Sequence, residues 1–172
     1  MAINPSDFAV ALAALDATVR VRGLRGDHAI PFADFHRLPD DTPERDTALR
    51  RGDLIVAIDI PASSESRASH YLKIRDRQSY EFAVVSVAAA VALDGGRIGS
   101  VRLAMGGVAH KPWRLAAAER ALVGVSLADN DRMKAAIAFS FGAARPLTHN
   151  AFKVGLAQRA VLRALRTAGG RA

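Results

Sequence analysis

Few residues in this 172-residue chain have the type and spacing to do chemistry, and they are scattered. There is no cysteine, which removes a thiolate nucleophile, a disulfide and any cysteine-ligated zinc or iron–sulfur centre. His28, His36, His70, His110 and His149 show neither HxH nor HxxxH spacing and have no glutamate motif beside them, which argues against a metal site. Ser63, Ser64 and Ser66 sit in a serine-rich stretch without a nucleophile-elbow pattern. Gly106-Gly107 runs on to Pro112 rather than to a P-loop lysine. What remains are single residues in suggestive settings. Taken alone, Asp7 is a helix cap, Lys73 a partly exposed cation on a strand, and Ile55 a core residue. Redox chemistry would have to come from a bound cofactor or a partner.

Half of the residues are apolar, enough to bury a core in one domain or one and a piece. No run approaches the roughly 18 apolar residues of a membrane span, and the N-terminus lacks a basic region followed by an apolar one, so the expected location is the cytoplasm, or the periplasm by co-export with a partner. The net charge of +7 raises the question of nucleic acid. The arginines are interspersed with acids, as from Asp40 to Arg51 and from Arg75 to Arg77, and no nucleic-acid motif follows them. A solvated surface is the expected reading, the excess charge being available to an acidic partner or a cofactor's phosphates.

Asn4-Pro5-Ser6-Asp7 is a helix-start signal, with Phe8, Leu12 and Leu15 expected on one face and a stop near Asp16. Thr18 to Arg22 alternates with period two and should pair with His28 to Ile30 across a turn. Phe32 to Arg51, with Pro39 and Pro43, reads as a surface loop holding at most a short helical turn. Leu54 to Ile60 (LIVAIDI) is apolar and β-branched, which predicts a central strand buried on both faces, with Asp59 requiring a partner or an edge. Ala62 to Ser66 reads as a linker and His70 to Arg75 as a new strand. Asp94-Gly95 between two apolar runs predicts a hairpin over Phe82 to Ala109, with Gly106-Gly107 a bulge or close-approach point. Leu115 to Val123, Asp129 to Ala143 and Asn150 to Thr167 read as helices, the last with Phe152, Leu156, Val161 and Leu165 in one stripe. Trp113 is expected to anchor the hairpin to the helix that follows it.

Several phrases, in order, resemble a known family. NPSD at Asn4 to Asp7 and RRGDLIVAIDIP at Arg50 to Pro61 are similar to the tail of the FAD-binding domain in the flavoprotein subunit of molybdenum hydroxylases. YLKIRDR, SYEFAVVS, GGVAHKPWR and the final HNAFKVGLAQRAVLRAL resemble that subunit's small C-terminal domain. The group contains carbon monoxide dehydrogenase, xanthine dehydrogenase and the molybdopterin-carrying aldehyde dehydrogenases, and the aldehyde-type members match best.

The resemblance implies an α+β fold: residues 1–61 as the C-terminal remnant of an FAD-binding α/β domain, and residues 67–170 as a three-stranded antiparallel sheet packed with C-terminal helices. It places Asp7 against the flavin nucleotide, Ile55 against the isoalloxazine ring, and Lys73 near the flavin's polar edge. It further implies FAD as cofactor, 2Fe–2S clusters and molybdopterin in the iron–sulfur and molybdopterin-binding subunits of a heterotrimer, and electron flow through FAD to an acceptor. The glycine-rich AGGTDL-type and TxGG loops that cradle the pyrophosphate in the family, and the cysteines of the extra 4Fe–4S cluster in aldehyde-type members, have no counterpart in these residues. The expectation is therefore the C-terminal half of such a subunit, with strand edges open to association. The alternative is a cofactor-free docking module.

Overall fold

The computed structural model describes residues 4–170; the first three residues of the 1–61 segment lie outside it. Helix α1, Asp7–Ala14, is capped by Ser6, whose Oγ accepts from the Ala9 N–H at 3.1 Å. Strands β1 (Thr18–Gly23) and β2 (Gly26–Pro31) form the expected hairpin. A short helix α2, Phe32–Phe35, follows. Strand β3, Leu54–Asp59, pairs antiparallel with β1, giving a three-stranded sheet in the order β2-β1-β3.

β3 corrects the sequence reading. It is an edge strand, and Leu54, Ile55 and Val56 are 63%, 42% and 46% exposed. β1 occupies the centre of the sheet, and its Val19 and Val21 take the buried positions. The β1–β3 register shifts between Arg20 and Val21, which face Ala57 and Ile55, so Val56 is the unpaired residue of a bulge. Asp59 has both features expected of it, an edge position and a partner, Arg20 at 3.3 Å.

After a 3₁₀ turn at Glu65–Arg67 come β4 (Ser69–Ile74), β5 (Val85–Asp94), β6 (Arg97–Gly106) and the two-residue β7 (Trp113–Arg114). They form an antiparallel sheet in chain order, one short strand more than expected. The β5–β6 turn is made by Gly95 and Gly96, with φ of 53° and 78°, the left-handed values that a tight hairpin demands. Here the period of two settles the packing. Val85, Val87, Ala89, Val91, Leu103 and Met105 join the main core with the C-terminal helices, while Ala88 and Ala104 join a second cluster with Val10 and Ala14 of α1. The strand buried on both faces is therefore β5, not β3.

Helix α1 lies between the two sheets. Ala9 and Leu12 pack with Val19, Val21 and Phe35, and Val10 and Ala14 pack with the second sheet. Its buried residues are Ala9, Val10, Leu12 and Ala14, and Phe8, expected on the apolar face, is exposed. A helix gripped from two sides has two short apolar faces rather than one stripe. Helices α3 (Ala116–Leu122), α4 (Asn130–Ala138) and α5 (Phe152–Ala168) close the main core. α4 ends earlier than expected, giving way to a 3₁₀ turn at Phe139–Phe141. On α5, Val161 and Leu165 are buried as expected but Phe152 is exposed; the alanines 157, 160 and 164 complete the seam. Leu115, 1% exposed, anchors the hairpin to α3, a role expected of Trp113, which is 41% exposed.

Candidate cofactor-binding site

On β4, alternate residues divide between two environments. Leu72 and Ile74 pack on the main core, whereas Tyr71 joins the cluster beneath α1 and Lys73, two residues on, emerges on the same side. There they meet Asp7, the first residue of α1. Lys73 Nζ donates to Asp7 Oδ2 at 2.7 Å and Tyr71 Oη donates to Asp7 Oδ1 at 2.8 Å. Two of the residues singled out in the sequence are thus brought together across 66 positions. Asp7 is not the helix cap, a role Ser6 fills, and both oxygens of its carboxylate are free for residues from the other sheet.

Partial burial alone would raise the Asp7 carboxyl pKa. The hydrogen bonds from Lys73 and Tyr71 and the charges of Lys73 and Arg75 outweigh it and hold the carboxyl below its ordinary value. Tyr71 moves the other way. Burial, reinforced by the Asp7 hydrogen bond and charge against an opposing bond to Ser86, raises its phenol, so it remains a donor at any physiological pH. The Tyr-x-Lys alternation on a strand is the one signal that could have drawn attention to Tyr71 beforehand. Ile55 stands apart from this pair, on the exposed edge strand of the other sheet. The depression beside Asp7, walled by Ser6, Phe82 and Gly107, holds about 10 Å³, room for no more than a water. A larger ligand would lie over the pair rather than in a pocket.

The seam between the two sheets is fixed by charges that the sequence reading did not single out. Asp16, just past α1 at φ 51°, is bound by both Arg102 and Arg114. Arg114 also donates to the Ala13 carbonyl at 2.9 Å and to Glu119 at 2.5 Å, and Glu119 accepts from the Leu103 N–H at 2.7 Å. Arg102 lies 3.5 Å from Glu65, a nearly buried carboxylate. Two further concavities flank the first sheet: one of about 230 Å³ between α2 and the Lys111–Arg114 segment, and one of about 350 Å³ between the β1–β2 turn and Arg50–Asp53. Among the described residues no group of histidine, aspartate and glutamate could hold a metal, and no helix is long and apolar enough to cross a membrane.

Comparison with known proteins gives consistent results. The family model described as FAD binding domain in molybdopterin dehydrogenase matches residues 1–63, and that described as CO dehydrogenase flavoprotein C-terminal domain matches residues 70–168. The chain is 42% identical to the aldehyde oxidoreductase FAD-binding subunit PaoB of Escherichia coli, over the whole of this chain and 51% of that protein. It is 34% identical to the glyceraldehyde dehydrogenase medium chain of Sulfolobus acidocaldarius, over 73% of this chain and 42% of that one. The chain spans about half the length of these curated relatives. Among solved structures, reconstituted CO dehydrogenase from Oligotropha carboxidovorans covers 95% of this chain and 56% of its own, with a TM-score of 0.82 at 22% identity. The Hydrogenophaga pseudoflava carbon monoxide dehydrogenase covers 96% of this chain and 60% of its own, with a TM-score of 0.80 at 25% identity.

Proposed function

The chain belongs to the family of FAD-binding subunits of molybdenum-containing aldehyde and CO oxidoreductases, and from that premise we propose that it supplies one wall of a flavin site through Asp7, Ile55 and Lys73. In this reading it is the C-terminal part of an electron-transfer subunit of an aldehyde-oxidising complex, working beside an iron–sulfur subunit and a molybdopterin-binding subunit. Residues 1–61 contribute the nucleotide side and residues 67–170 the small domain.

The observation that carries the reading is the meeting of Asp7 and Lys73. The donor set suits a flavin. The exposed aliphatic edge of β3 offers a flat apolar face to a ring, and Ile55 presents its side chain there. Lys73 supplies a cation that favours negative charge at the ring's polar edge, and Asp7 fixes where that cation sits. The Asp7 carboxylate can accept hydrogen bonds from ribose hydroxyls while ionised, which its lowered pKa secures at neutral pH. FAD, when bound, supplies the redox chemistry, passing electrons received from iron–sulfur clusters to an acceptor; the protein orients it and tunes its charge.

The test is a titration of the purified chain with FAD, followed by flavin fluorescence, beside Lys73→Ala and Asp7→Ala. Saturable binding weakened about tenfold in each variant, the scale of one charge-assisted contact, supports the assignment. Equal binding by all three chains refutes it. A second reading, a docking module that carries no cofactor, is favoured by the 10 Å³ depression at Asp7. Well-folded chain that binds no FAD but assembles with the iron–sulfur and molybdopterin subunits supports that reading.

A further inference from the structure

We propose that the cleft between α2 and the Lys111–Arg114 segment is a binding site for a small planar aromatic carboxylate, separate from the flavin surface. Its walls carry aromatic rings and its charged side chains, Lys111 and Arg114, are cations. Phe32 is buried beneath it, and the His36 ring stands edge-on to Phe32 and Phe35, with centroids 5.4 and 5.1 Å away. Trp113, 41% exposed, and Pro112 form another side. A half-exposed indole beside a buried phenyl ring is an environment that a flat ring completes by stacking.

Two groups specify the charge. Lys111 Nζ donates to the Ala33 carbonyl at 3.2 Å, which uses one of its three donors. Among the described residues it has no acidic partner within ion-pair distance. His36 Nδ1 lies 3.3 Å from the Asn4 amide nitrogen. Assigning Nδ1 as the acceptor of that bond leaves the ring proton on Nε2, a second donor. Burial and the neighbouring Lys111 charge lower the His36 pKa against the opposing pull of Asp46, which favours the neutral imidazole near pH 7. Arg114 also lines the cleft, but all except one of its donors are taken by Ala13, Asp16 and Glu119, so it chiefly frames the site.

The ligand class follows by elimination. A wholly apolar molecule would desolvate the Lys111 ammonium and the His36 N–H without a partner. An inorganic anion would leave the indole and phenyl faces unused. The cleft, about 230 Å³, falls below the roughly 300 Å³ at which drug-sized pockets begin, which suits one ring bearing one carboxylate and excludes a nucleotide.

Trp113 is the only tryptophan, so its fluorescence reports on the cleft directly. The purified chain is titrated with benzoate, and with benzamide as the uncharged isostere, in parallel with Lys111→Gln whose fold is checked by circular dichroism. The expected result is saturable quenching by benzoate at millimolar concentration, with the midpoint raised about tenfold for benzamide and for Lys111→Gln, as one charge-assisted hydrogen bond requires. Transferred NOEs from the benzoate ring to Trp113 and Phe32 provide a second readout if the indole emission is insensitive. Binding that neither benzamide nor Lys111→Gln weakens overturns the proposal. So does quenching that stays linear in concentration with no NOE to either ring.

Discussion

Replacing Gly106 by alanine should loosen the contact that sets α1 against the second sheet. A Cβ built at Gly106 falls 2.5 Å from Ser86 Oγ and 2.6 Å from Val10 Cγ2, closer than any packed atoms tolerate. Neither neighbour can retreat easily, since Ser86 and Val10 are 2% and 1% exposed. Overpacking of a close-packed site costs about 1–3 kcal/mol, and two simultaneous clashes put this one near the top. Alanine recovers roughly 0.5–1 kcal/mol by restricting the unfolded chain. The net loss is about 2 kcal/mol, a fall in Tm of roughly 4–8 °C for a chain of this size. Urea denaturation of Gly106→Ala measures it, with Gly95→Ala as control. Gly95 has φ 53° and nothing within 4 Å of its added Cβ, so that variant should lose only the roughly 1 kcal/mol of a left-handed alanine. Combining Gly106→Ala with Val10→Ala should cost less than the sum of the two single changes by more than about 0.5 kcal/mol. Asp7 should report the same event. As α1 lifts, the carboxyl loses Lys73 and Tyr71, and its NMR titration moves upward. A Gly106→Ala chain as stable as the parent, or strict additivity with Val10→Ala, refutes the close approach and the positioning of Asp7 that depends on it.

Two further outcomes test the site and the edge strand. The Asp7 carboxyl is held below its ordinary pKa of 3.8, so its pairing contributes stability that is present above that value and lost as the pH falls through the folded-state value beneath it. With side chains 46% and 25% exposed, the Asp7–Lys73 pair is worth less than about 1 kcal/mol. Denaturant curves of Lys73→Gln should therefore show a small loss at pH 7 that begins to shrink as the pH falls past 3.8 and vanishes only beneath the lower folded-state value; a loss independent of pH contradicts the ion pair. Val56→Lys on the bulge of β3 should change stability by no more than about 0.5 kcal/mol and reduce self-association in sedimentation. A loss of several kcal/mol would mean that β3 is buried after all.

What the sequence determined by itself is the local structure. The start of α1 at Asn4–Asp7, the β5–β6 hairpin and the end of α3 before Gly124 at φ 79° follow from local backbone and side-chain chemistry, although the cap is Ser6 rather than Asp7 and the turn Gly95–Gly96 rather than Asp94–Gly95. The phrases spread over both parts of the chain identified the family for the same reason, being patterns of residue type along the chain. Tertiary structure decided which surfaces these elements cover. LIVAIDI has the composition of a buried central strand, yet hydrophobicity along a strand cannot tell whether a neighbour pairs beyond it, and at β3 none of the described residues does. The apolar faces of α1 depart from a single stripe because a helix between two sheets spreads its small residues over two directions. Asp7 and Lys73 each looked ordinary alone. They are 66 residues apart, and only the packing of α1 on β5 and β6, held by Asp16 between Arg102 and Arg114, brings carboxylate and ammonium within 2.7 Å. A contact of that kind depends on chain closure over the whole domain, and no local pattern encodes it.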